Sequence, residues 1–169
     1  MAFDIRFWGV RGTIACPSTS HAKYGGNTSC IQVTVGDRII IFDAGTGIRD
    51  LGNELQKRDV RDAHLLMSHT HWDHINGFPF FVPGYDPSWS LHIMAGHLND
   101  ANGCIRDVLN AQMLGPMFPV PLETMQAKIR YSDFKAGDQF KIHSDINVRT
   151  APLRHPNGAT GYRIEHNDK

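Results

Sequence analysis

His64-Leu65-Leu66-Met67-Ser68-His69-Thr70-His71-Trp72-Asp73-His74 carries a short apolar strand straight into three imidazoles and a carboxylate. Borderline divalent ions such as zinc are bound by these donor types. At an extended strand end, residues two apart point the same way, so His69 and His71 converge on one ion. A helix or tight turn starting after Trp72 would swing Asp73 and His74 aside, toward a second ion a few Å from the first. An isolated histidine is ordinarily a loop or core residue, but four ligand-type residues at this spacing are a metal motif. His64, His92 and His97 lie in or near strands without ligand spacing and read as satisfied core or surface histidines. His21, His143 and His166 carry no signal of their own.

Working outward, residues 3–10 and 30–35 alternate aromatic or β-branched residues with polar ones, as half-buried strands do. Gly36-Asp37 supplies a hairpin turn. Arg38-Ile39-Ile40-Ile41-Phe42-Asp43-Ala44-Gly45 is apolar until Asp43, which suits a strand buried on both faces with a carboxylate at its end. Ile48, Leu51 and Leu55 predict an amphipathic helix over Ile48 to Arg58. A strand is expected at Leu91 to Ala95 and a second helix between Ala101 and Leu114, closed by Gly115-Pro116. From Lys128 to Glu165 four β segments follow one another between Gly, Asp, Ser and Pro turns. Strands alternate with helices early and run consecutively late, so the expected class is α+β, two sheets with outer helices in one domain over 1–169.

The 17 basic residues equal the 17 acidic ones, which removes the electrostatic attraction that drives non-specific binding to nucleic acid or an anionic membrane. No apolar run approaches the roughly 18 residues a membrane-spanning helix needs, and Met1 to Val10 is not a signal-peptide pattern. Cys16, Cys30 and Cys104 are odd in number and form no C-x-x-C, as expected of reduced thiols in a cytoplasmic protein.

His69-x-His71-x-Asp73-His74 after a strand resembles the hallmark of the metallo-β-lactamase superfamily. The resemblance extends to Phe7-Trp8-Gly9-Val10-Arg11-Gly12-Thr13, Tyr24-Gly25-Gly26-Asn27-Thr28-Ser29-Cys30, Phe42-Asp43-Ala44-Gly45-Thr46-Gly47, and His155-Pro156 followed by Gly161-Tyr162-Arg163-Ile164. These segments are similar to the branch near tRNase Z and the cyclic phosphodiesterases. The resemblance implies an αβ/βα sandwich of two mixed sheets with metals at one edge. It also implies hydrolysis, most often of a phosphodiester, through a metal-bridging hydroxide. The oxygen- and nitric-oxide-reducing flavodiiron branch typically has Glu where His71 stands.

Carried over to this chain, His69, His71 and His155 would hold the first ion and Asp73 and His74 would help hold the second. Asp73 would also orient the nucleophile. Asp43 would accept the outer N–H of a ligand histidine, fixing its tautomer. Asn27, Thr28 and Ser29, in a glycine loop, are candidate phosphate-cradling residues. Two divalent ions are implied, zinc first, with manganese or iron as alternatives. The family's bridging Asp and final His have no counterpart here, since His166 and Asp168 come too early in the chain. The expectation is therefore a chain covering the N-terminal half to two-thirds of the fold, with an incomplete second metal site. Exposed edges, an unpaired apolar face, and a homodimer or strand swap would follow. A small phosphodiester is the expected substrate, with tRNA disfavoured by the charge balance. Thioester or lactone hydrolysis, and a non-catalytic metal-binding or regulatory form, are the rival functions.

Overall fold

A computed structural model describes residues 3–98 and 103–167. The first sheet has six strands in sequential order: β1 (Phe3–Gly9), β2 (Cys30–Val35), β3 (Arg38–Phe42), β4 (Asp62–Met67), β5 (Ser90–Ala95) and β6 (Lys128–Asp133). β1, β2 and β3 pair antiparallel, and β3 through β6 run parallel. A second, antiparallel sheet is built from β7 (Gln139–Ile142), β8 (Ile146–Leu153) and β9 (Ala159–His166). The helices are α1 (Gly47–Leu55), the single turn α2 (Trp72–Ile75) and α3 (Ile105–Gln112). The α+β expectation of two sheets with outer helices is met. β6, the first β segment of the tail, joins the first sheet beside β5 rather than the second sheet.

The unbroken apolar runs have a direct cause. In β4, Leu65 faces the helices and belongs to a core with Ile41, Ile48, Leu51, Leu55 and Ile93. Leu66, its neighbour in the chain, points the other way and packs with Ile40, Met94, Ile142, Ile146 and Val148 between the two sheets. A strand covered on both faces cannot alternate apolar with polar. Burial of these aliphatic side chains supplies roughly 1.5–3 kcal/mol each toward holding the layers together.

Several boundaries differ from the sequence expectation, three of them with a visible cause or contact. β3 stops at Phe42 because Asp43 takes φ +63 and turns the chain, a conformation Asp tolerates better than most residues. α1 ends at Leu55, three residues early, and Arg58 N–H closes a turn onto the Leu55 carbonyl. α3 starts at Ile105, whose N–H donates to the Asp133 carboxylate at 3.0 Å, and stops at Gln112. The start expected for this helix, at Ala101, falls outside the described residues.

The loops after β3 and α2 cross backbone to backbone. Ala44 N–H donates to the His74 carbonyl at 2.7 Å and Gly77 N–H to the Ala44 carbonyl at 2.8 Å. A Cβ at Gly77 would collide with the Gly45 carbonyl, so this crossing requires glycine. β1 lies at an edge of the first sheet, and its Ile5 and Phe7 are 52% and 62% exposed. Among the described residues no helix is long and apolar enough to cross a membrane.

Candidate metal centre

The parallel strands β3 and β4 deliver the site at their C-terminal ends. Beyond Met67 the chain bends at Ser68, is extended at His71 (φ −63, ψ 151) and then winds into α2. His69 and His71, two apart, therefore stand side by side, with ring centroids 4.5 Å apart. Asp73 and His74 lie on the helical turn and are displaced from them.

The second sheet contributes His155 from the tight turn between β8 and β9. Two bonds pin that hairpin to the end of β4: Thr160 N–H donates to the Ser68 carbonyl at 2.7 Å, and the Tyr162 hydroxyl donates to the Met67 carbonyl at 2.8 Å. The His155 ring lies 4.5 Å from His69 and 4.8 Å from His71, and its Nε2 is 3.1 Å from His71 Nδ1. His69, His71 and His155 offer one nitrogen each within 4.8 Å of one another. His74 completes the cluster, its ring 4.1 Å from that of His69.

A layer of hydrogen bonds holds these donors. Asp43, 4% exposed, accepts from Ser68 N–H at 2.8 Å, Ser68 Oγ at 2.9 Å and Ser29 Oγ at 3.0 Å, and its Oδ2 lies 2.7 Å from His74 Nδ1. A proton fixed on Nδ1 leaves His74 Nε2 as the free donor, 3.3 Å from Asp73 Oδ2. Asp73 also accepts the Thr13 N–H at 2.6 Å, which ties the loop after β1 to the site.

The electrostatics follow from these contacts. Burial pushes the His69 imidazole down to about 4, with His74 adding to the shift, so at neutral pH this ring carries a lone pair for an ion. Burial opposes charge on His74 as well, but the hydrogen bond and charge of Asp43, helped by Asp73, outweigh it and raise that group. Clustered imidazoles beside carboxylates are a donor set that borderline divalent ions accept, so the residues fit the metal that the sequence pattern implies.

The glycine-loop candidates are placed differently from the cradle that the sequence suggests. Thr28 is fully buried and accepts from Thr46 N–H at 2.8 Å. Asn27 Oδ1 accepts from Thr46 Oγ1 at 3.1 Å, and Ser29 is spent on Asp43. Only Thr28 is buried and must be satisfied from within; Asn27 and Ser29 are half-buried.

Sequence reasoning passed over three neighbours. Thr13 acts through its backbone N–H, which no side-chain pattern reveals. Asn157 Oδ1 lies 3.4 Å from His71 Nε2. His97, read as a bland histidine, lies beside the cluster with its ring 6.5 Å from His69 and its Nε2 3.0 Å from Thr70 Oγ1. The parallel register that sets β5 beside β4 brings it there.

No family model matches the chain. Ribonuclease Z of Haloarcula marismortui is 26% identical over 176 residues, an alignment covering all of this chain and 49% of that protein. The chain spans about half the length of the ribonuclease Z relatives that it matches over nearly its whole length. Among solved structures, a diphosphatase from the PhnP family superposes with a TM-score of 0.66 at 14% identity, covering 95% of this chain and 61% of that one. The metallo-β-lactamase fold protein YhfI from Bacillus subtilis superposes with a TM-score of 0.62 at 18% identity, covering 95% and 56%. The chain has the metallo-β-lactamase fold, and ribonuclease Z is among the proteins that it is similar to across its whole length.

Proposed function

We propose that the chain is the metal-holding part of a phosphodiester hydrolase. The observation that carries this reading is the convergence of His69, His71 and His155 from two sheets, with His74 and Asp73 alongside. His69, His71 and His155 would hold one divalent ion, zinc first, and Asp73 and His74 would contribute to a second. Such ions supply acidified water at neutral pH and charge neutralisation on phosphoryl oxygens.

The chain's own residues account for the rest. Asp43 holds the proton of His74 on Nδ1, so that Nε2 faces the centre. Asp73, fixed by Thr13 N–H, presents a carboxylate that can orient a water proton. His155 arrives with the β8–β9 hairpin, so docking of the second sheet completes the donor set. Support for phosphodiesters over acyl substrates comes from the ribonuclease Z relatives and the diphosphatase neighbour. Over these 169 residues the net charge is zero, which favours a small phosphodiester over a polyanion such as tRNA.

The test is turnover of bis(p-nitrophenyl) phosphate against a thioester and a lactone, with zinc or manganese supplied. The proposal expects diesterase activity that His71→Ala abolishes. Preferential hydrolysis of the thioester or lactone, or no hydrolysis by a fully metal-loaded protein, would overturn it.

A further inference from the structure

The strand that leads into the centre carries a second group of donors at its other end. Asp62 and His64 stand two apart at the start of β4, with their side chains toward the second sheet. There they meet His143, which begins the β7–β8 turn in a left-handed conformation (φ +60). Asp62 Oδ1 lies 4.0 Å from His64 Nδ1 and 4.0 Å from His143 Nε2. One donor atom from each of the three falls within 4.8 Å of the others. The group borders a cavity of about 360 Å³ between the two sheets.

We propose that Asp62, His64 and His143 form a second metal site, for a zinc-type ion that clasps the β7–β8 turn to the first sheet. Donors in a tetrahedral zinc site sit about 2.0–2.2 Å from the ion and hence about 3.4 Å apart. The present spacing closes to that with small rotations of Asp62, whose side chain is 53% exposed, and of His143 at the turn. Water would fill the fourth position.

The surroundings select the class of ion. Arg130 and Lys141 also line the cavity, and one carboxylate cannot offset them for a hard cation that demands several oxygens. An ion bound through imidazole lone pairs depends less on net charge. His92 is no ligand, although it stands opposite His64 in the β4–β5 register. Its Nδ1 accepts from Arg130 at 2.7 Å and its Nε2 lies 2.8 Å from Ser132 Oγ, so both nitrogens are engaged. His143 Nδ1 lies 3.3 Å from the Arg38 guanidinium. Metal binding through Nε2 moves the ring proton to Nδ1, so Arg38 must turn away toward solvent, where its exposed partner Asp37 already lies.

The test removes the first centre with His69→Ala, His71→Ala and His155→Ala and titrates the full chain with Zn²⁺ and Co²⁺. One ion per chain still binds, the melting temperature rises with zinc concentration, and cobalt gives the visible bands of an imidazole-bound tetrahedral ion. Adding His143→Asn, which keeps a residue tolerant of the left-handed turn, weakens that ion at least about tenfold. A natively folded triple variant that binds no ion, or one whose ion is indifferent to His143→Asn, overturns the proposal. Neither readout depends on catalysis, so the outcome is independent of the phosphodiesterase reading.

Discussion

His74 Nδ1 and Asp43 Oδ2 lie 2.7 Å apart, so the carboxylate just beyond β3 holds the imidazole that α2 presents to the histidine cluster. Asp43 reaches that position only by turning the chain at φ +63, and Ser29 and Ser68 share its oxygens. The residue is at once a turn and a brace for the His74 ring.

Asp43→Asn separates these roles. Asn adopts the same backbone conformation and keeps the size, but it loses the charge and one acceptor. We expect zinc affinity to fall about 10–100-fold with an unchanged far-UV circular dichroism spectrum. Unaltered affinity would show that His74 does not depend on Asp43.

The backbone crossing gives a prediction about the scaffold. In Gly77→Ala the new methyl meets the Gly45 carbonyl, with Ile48 Cγ2 2.9 Å away, and neither neighbour has room to yield. Overpacking of this kind costs about 1–3 kcal/mol. Urea unfolding should show the loss, and metal binding should weaken with it, because the same crossing carries Asp73 and His74. A stability equal to that of the parent would mean that the loops separate easily.

His155→Ala should behave in the opposite way. The side chain is exposed, so the stability of the metal-free protein should stay within about 0.5 kcal/mol. Bound zinc should nevertheless fall. Equal metal content in the variant would remove His155 from the centre.

Acid should destabilise the metal-free protein. Burial holds His97 at about 4, and burial together with the Arg130 charge holds His92 at about 4, against 6.5 for a free ring. Between those values the unfolded chain takes up protons that the folded one refuses. Stability is therefore fully present above about pH 6.5 and is lost as the pH falls toward about 4. The urea midpoint should be lower at about pH 5 than at about pH 7, and His92→Gln should flatten that dependence. Parallel pH profiles for parent and variant would contradict this.

The layers were legible in the chain because burial leaves a mark on sequence. Leu65 and Leu66 are both apolar because each faces a different core, and Ile48, Leu51 and Leu55 repeat at the helical period. His69, His71, Asp73 and His74 were legible because their spacing is local. Thr13, His97 and the Asp62–His64–His143 group were not, since what unites them is strand register and the docking of one sheet on another. The glycine loop is ambiguous for a related reason: short polar side chains look alike whether they face a ligand or, as those of Asn27, Thr28 and Ser29 do, bond to neighbouring loops.

The most direct test of the account is zinc content per folded chain, by elemental analysis, for the parent and for a His69→Ala, His71→Ala variant. The account predicts that the parent holds at least one ion more than the variant. Equal zinc in the two proteins would contradict it.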